Sequence, residues 1–327
     1  VAFQPTRGLV KLKGQITRMN ERSVKDDFDN ERCKKISFAL KTSEVNEVPV
    51  QIFGYKNDKV YYSEKSPKGE KSKIVSVDWA DRYEAPSEGA QLIGTHIKAE
   101  GQEEITILTS YEAIDKVYES FKNGDWVFIQ GSTSPNSYES NGETRTTMNI
   151  EIDKIYASKE DKSFGDEGYE EMATFKQKGV FLGAEKVKNE ETKETEVHVD
   201  LRIIQDKEGK FTDFTYVVPA KTDSSKKLAN GLLKKVKAYD EVVLMGYVRN
   251  EAIVEEVELD EEDDWGGETV AGFGTAVTSY RRVYEVVGFD TAYWKENKEK
   301  YKESDFEPDD FDSSDAIDFG DDDDDDF

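Results

Sequence analysis

A single cysteine, Cys33, stands among the 327 residues. No internal disulfide can form, and a reducing compartment is the default. Two histidines, His96 and His198, and no cysteine pairs exclude zinc sites of the usual spacing. No Gly-x-Ser-x-Gly elbow occurs. Gly272-Phe273-Gly274 lacks the third glycine and following helix of a dinucleotide loop. The Asp runs lack EF-hand spacing and would hold divalent ions only diffusely. Catalysis is thus poorly supplied, and neither an enzyme, a cofactor nor a metal is expected. No stretch approaches 18 apolar residues and no charged-then-apolar leader opens the sequence, so no membrane span or signal peptide is expected.

Bases are missing from one place above all. Glu303–Phe327 holds 14 acids and no Lys or Arg, and ends in Asp321, Asp322, Asp323, Asp324, Asp325, Asp326 and Phe327. Such a segment buries too little apolar surface to offset its ordering entropy and self-repulsion, and is expected to be disordered in isolation. Of the net charge of −26, the tail carries −14, which leaves −12 for Val1–Lys302. A second cluster, Glu255–Asp264, holds 8 acids and no base. The remainder is close to balanced, so an acidic pI does not exclude a nucleic-acid partner. A terminal Phe adds nothing to solubility. It reads as a docking anchor, with the carboxylates steering toward a basic rim.

What the chain has in quantity is period-two alternation, the mark of half-buried strands. Val10, Leu12 and Ile16 share one face of 9–17; Ile36, Phe38 and Leu40 share one face of 34–42; Val48, Val50 and Ile52 share one face of 47–55. A hairpin with arms near 59–63 and 73–79 follows, then a helix over 110–121 and strands over 126–133 and 144–155. The order repeats: strands over 175–188, 195–205 and 211–218, a helix over 225–236, and strands over 241–249 and 279–289. Asp125-Trp126-Val127-Phe128-Ile129-Gln130-Gly131 after the first helix is echoed by Asp240-Glu241-Val242-Val243-Leu244-Met245-Gly246 after the second. Three strands, a helix and two strands is the element order of the OB-fold. The expected architecture is mainly β: two tandem OB-fold-like five-stranded barrels, each with one helix. They occupy 1–158, with an inserted hairpin, and 172–290, joined by a linker over 159–171. A connecting segment, 291–302, leads to the disordered acidic tail, 303–327.

On the first half the apolar faces leave Lys11, Lys13, Lys35, Lys41, Phe53 and Tyr55 together on the outer surface. Lysines neutralise phosphates, and flat rings accept unstacked bases without reading sequence. Adjoining loops add Arg18, Arg22, Lys34, Tyr61, Tyr62, Lys65, Lys68, Lys71, Lys73, Trp79, Arg82 and Tyr83. A ring on a strand packs in a core more often than it meets a base, which applies to Trp79, Phe38 and Trp126. Phe53 and Tyr55 lie opposite a clear Val-x-Val-x-Ile face and read as exposed. The second half offers Arg249, Arg281 and Arg282 at a basic edge, and is expected to contribute less.

OB-like halves followed by an Asp-rich tail ending in Phe327 resemble the single-stranded DNA-binding proteins of bacteria and, more closely, those encoded by bacteriophages. Two departures mark the chain: Asp326 where bacterial members usually have a penultimate proline, and two OB-like halves rather than one. The second makes a monomer or weak homo-oligomer the expectation. The resemblance implies that the barrels coat single-stranded DNA in replication, recombination and repair. It also implies that the tail recruits replication proteins (polymerase, helicase or primase, recombination factors). The location implied is cytoplasmic, in the host cytoplasm if phage-encoded. The rival reading is an acidic protein-interaction or DNA-mimicking protein that inhibits a DNA-binding host factor. It is told apart by salt, since only a DNA binder loses oligonucleotide affinity steeply as salt rises.

Removing Phe327 alone leaves the charge almost unchanged. Oligonucleotide binding and solubility are expected to survive that deletion, while capture of a purified replication partner on immobilised protein is lost. Equal capture by both proteins leaves only a polyanion.

Overall fold

The structure, a computed structural model, describes residues 3–26, 28, 32–64, 72–140, 142–158, 163–188, 194–256 and 275–306, of which 140, 143, 251–256 and 275–281 by backbone only. Apolar-polar alternations become strands because each offers one face to a core. The first half contains β1 (Leu9–Thr17), β2 (Val24–Lys25), β3 (Cys33–Lys41) and β4 (Glu47–Tyr55). The hairpin region follows as β5 (Lys59–Glu64), β6 (Lys73–Asp78) and β7 (Gln91–Leu92), then β8 (Thr95–Lys98) and β9 (Thr106–Leu108). Helix α1 (Ser110–Ser120), β10 (Trp126–Ser140) and β11 (Glu143–Ala157) complete it. The second half runs β12 (Met172–Lys188), β13 (Thr195–Ile204), β14 (Phe211–Pro219), α2 (Asp223–Lys235), β15 (Glu241–Glu256), β16 (Thr275–Phe289) and α3 (Thr291–Glu296). No helix among the described residues is long and apolar enough to cross a membrane.

Pairing runs in a cycle within each half. β1 pairs with β10 and, at its end, with β3; β3 pairs with β4; β4 meets β11 in parallel at Gln51–Glu151; β11 returns to β10. In the second half β12 pairs with β15 and β13, β13 with β14, β14 in parallel with β16 at Val217–Glu285, and β16 with β15. The sequence echo has a structural cause. Gly131 and Gly246 both follow a shift of register, and a Cβ on either would come within 2.4 Å or 1.8 Å of the carbonyl oxygen of Glu151 or Glu285. Only glycine lets the strands approach so closely there. Helices α1 and α2 each start on a threonine cap, Thr109 and Thr222, whose oxygen satisfies a free N–H of the first turn.

The two halves do not form separate sheets. β1 and β12 pair antiparallel, so that thirteen strands belong to one mixed sheet, with β6, β5 and β7 in a small second one. The register of that join is symmetric. Val10 faces Gly131, Phe175 faces Gly246, and Val10 and Phe175 face each other. Corresponding residues therefore meet on an approximate two-fold axis. One apolar cluster runs through both halves, from Ile36, Ile52 and Ile129 to Leu201, Tyr216 and Tyr284.

Polar side chains complete the join. Asn46, fully buried, accepts from the Asn250 N–H at 2.8 Å and donates to the Val248 carbonyl at 2.9 Å and to Glu171 at 2.7 Å. Asn250 in turn donates to the Glu47 carbonyl at 2.7 Å. At the other side Gln177, also fully buried, donates to the Thr6 carbonyl at 2.6 Å and accepts from Thr133 at 2.6 Å. The hairpin arms of β10–β11 and β15–β16 extend well past the expected 133 and 249, their outer stretches pairing with each other.

Asn46→Ala strands the buried Asn250 N–H and Val248 carbonyl, while Glu171 keeps Thr42 and Arg249. The substitution is expected to cost about 1–3 kcal/mol of stability in denaturant unfolding. A loss below about 0.5 kcal/mol, within the range of ordinary surface substitutions, would remove Asn46 from the join.

Candidate functional site

Burial alternates along β4. Val48, Val50, Ile52 and Gly54 face inward, and Phe53 and Tyr55 stand 46% and 38% exposed. Lys35 on β3 lies directly across from Phe53, and Cys33 across from Tyr55, so the four share the outer face. Phe28 meets Phe53 edge-on at 6.1 Å, and the Arg32 guanidinium lies 5.4 Å over the Tyr55 ring. Arg32 also bonds Asp58 at 2.6 Å. Glu151, at the parallel closure, accepts from Gln51 and from the Phe53 N–H at 3.2 Å. That fixes the backbone under the ring. Neither Phe28 nor Arg32 was singled out in the sequence, because both sit in a loop without periodicity.

Other expected site residues are distributed differently. Lys11 and Lys13 lie on the outer side of β1, but at the join, across from Thr174 and Met172. Lys41 lies 5.5 Å over the Phe164 ring, and Phe164 and Tyr169 pack on Trp126. The segment between the halves thus covers that end of the outer face. Arg18 pairs with Glu47. Lys34 does not join the outer face: its side chain points to α1, 2.8 Å from Asp115 and 4.9 Å over the Tyr111 ring. Asp115 raises its pKa through that hydrogen bond.

Tyr61 and Tyr62 separate, as neighbours on a strand must. Tyr61 is 51% exposed, whereas Tyr62 is buried with Val60 and Leu92 and donates to the Arg82 carbonyl at 2.7 Å. Tyr62 therefore has no ring face left for a base, which corrects the sequence reading. Trp79 is half-buried, edge-on to Tyr111 at 6.1 Å with Arg82 at 5.0 Å over its ring. Arg249 is engaged by Glu171 and lies 4.9 Å over Tyr247, and Arg282 reaches Asn250 at 3.3 Å. Both belong to the join rather than to a free basic edge. Arg281 pairs through its backbone with Glu251; its side chain, and Asp321 to Phe327, lie outside the described residues, as do Lys65, Lys68 and Lys71.

The halves differ on this face. Register places Pro219 where Phe53 stands, Glu196 where Lys35 stands and Arg202 where Lys41 stands. Arg202 is locked to Asp213 by two bonds of 2.8 Å. Among the described residues, the exposed rings Phe53, Tyr55, Tyr61, Tyr83, Tyr118 and Tyr138 all belong to the first half. Tyr138 lies on the β10 arm across from Arg145, a ring the sequence reading missed. No described group of His, Cys, Asp and Glu is placed to hold a metal ion.

A family model described as YorF matches residues 8–318. The chain belongs to the YorF family. No curated protein matches it. Among solved structures it is similar to a wild-type single-stranded DNA binding protein from Thermus aquaticus, at 8% identity and a TM-score of 0.40, over 88% of this chain and 93% of that one. A deletion variant of the same protein matches at 9% identity and a TM-score of 0.39, over 88% and 94%.

The hairpin region is held to α1 by Glu112, which accepts from Arg82 at 2.9 and 2.8 Å, from Thr109 at 2.7 Å and from Tyr83. Burial works against its charge, and these bonds outweigh it, holding the carboxyl below its ordinary 4.5. Burial and the same bond push Tyr83 up to about 12. A depressed carboxyl stabilises above its unfolded pKa and stops doing so as pH falls through the folded value. Acidification is therefore expected to raise amide exchange over 79–93, corrected for intrinsic rates, ahead of β3 and β4. Glu112→Gln is expected to show the raised exchange already at neutral pH. Exchange that is equal in both proteins at both pH values assigns the hold to other contacts.

Proposed function

We propose that the chain binds single-stranded DNA without sequence preference, on the outer face of its first half. The observation that carries this is the confinement of the exposed rings, among the described residues, to that half, with Phe53 and Tyr55 alternating on β4 beside Lys35. Stacking on such rings tolerates any base, and a lysine across the strand meets the phosphates. We take the two cycles of pairing to be tandem barrels of OB type. That fold uses its second and third strands and the loops after its first and fourth for oligonucleotides. In the first half these are β3, β4, the loop of Arg32 and Phe28, and the hairpin arm of Tyr138.

The finer reading is a role in DNA replication and recombination of the phage type, with Asp321 to Phe327 recruiting replication proteins. The second half serves mainly to present the first. On the corresponding face Glu196 is buried, Asp200 accepts from Thr215, and Arg202 is tied to Asp213, so no free cation stands where Lys35 does in the first half.

Titration of labelled dT oligonucleotides tests the face. Phe53→Ala with Tyr55→Ala is expected to weaken binding by about 1–3 kcal/mol per lost stack, with the circular dichroism melt unchanged. Wild-type affinity should fall steeply with salt. Unchanged affinity in the folded double variant refutes this face, and no binding at any salt favours the DNA-mimic reading.

A further inference from the structure

The second half carries a groove that the nucleic-acid reading leaves unused. Between α2, the end of β16 and α3 stands a groove of about 510 Å³. Its apolar lining comes from Leu228, Leu232, Val236, Val287, Phe289 and Trp294. Val287 is 47% exposed and, among the described residues, the only large apolar side chain of this half that is so exposed. Lys227, Lys235 and Lys295 line the same groove and are exposed. An apolar trough ringed by ammonium groups fits a peptide that offers a ring flanked by carboxylates.

The chain supplies such a peptide close by. After Phe306 come 21 residues with 12 acids, no base and three phenylalanines, Phe311, Phe319 and Phe327. The Phe306 ring stacks on Tyr239 at 6.1 Å, and Val236, three residues before Tyr239, lines the groove. Three residues span at most about 10 Å. Asp240, next to Tyr239, accepts from the Trp294 indole of the groove at 2.8 Å, so the segment departs near that end, and the five residues to Phe311 extend to at most about 17 Å. A short tether of this kind gives a high effective concentration. Reach favours the first ring over the two later ones.

We propose that 307–312 docks in this groove of its own chain, with the Phe311 ring on Val287 and Phe289, and Asp309, Asp310 and Asp312 among the three lysines. Docking there fixes the root of the tail on the second half and leaves 313–327 free to meet a partner. The proposal does not rest on the nucleic-acid reading, and its test contains no nucleic acid, so each can fail alone.

The test is a photoreactive benzophenone amino acid in place of Val287 in the full chain, with crosslinked peptides mapped by mass spectrometry. The expected product is an intrachain crosslink to 307–312. Phe311→Ala, and Lys227→Glu with Lys235→Glu, should each lower its yield about tenfold, while Phe319→Ala and Phe327→Ala leave it unchanged. Absence of a tail crosslink in the otherwise unsubstituted chain overturns the proposal. A product centred on Phe319 or Phe327, or one joining two chains, does so as well.

Discussion

Everything in the molecule hangs on the pairing of β1 with β12. Each strand is the first of its own cycle, and each gives its outer edge to the other along Leu9–Lys13 and Met172–Lys176. Backbone pairing of this length would be weak between two separate bodies. It holds here because Val10 and Phe175 are buried beneath it, in one core shared by both halves. The buried amides of Asn46 and Gln177 then fix the register, since a slip by one residue would strand both.

That join also sets where a ligand could lie. It sits beside Lys11 and Lys13, and the covering segment of Phe164 and Tyr169 occupies the region near Lys41. The open part of the first outer face is thereby confined to the far end of β3 and β4, where Lys35, Phe53 and Tyr55 stand. In the second half the corresponding positions hold Glu196 and Pro219, with Arg202 tied to Asp213. Symmetric backbones carry unlike surfaces.

Much of this was legible in the alternation. The faces of Val48, Val50 and Ile52, and of Val10, Leu12 and Ile16, followed directly from the period of a strand, as did the exposure of Phe53 and Tyr55. Tyr62 was legible too, since it shares a period with Val60, but two adjacent tyrosines conceal which one points out. Lys34 continues the inward face of Ile36 and Phe38 to the strand end, where α1 rather than water receives it. Arg249 was not legible: its partner Glu171 is 78 residues away. The β1–β12 join left no trace in side-chain pattern, because edge pairing is made by backbone groups that every residue carries.

Fusion of the halves into one chain has a consequence for counting. Two identical copies meeting on a two-fold axis must present two identical faces, and any ring gained on one is gained on both. A single polypeptide is free of that constraint, and here Phe53 has no counterpart across the axis. On the proposed reading, an oligonucleotide short enough to stay on that face would saturate the protein at one strand per chain, so that stoichiometry itself would record the broken symmetry.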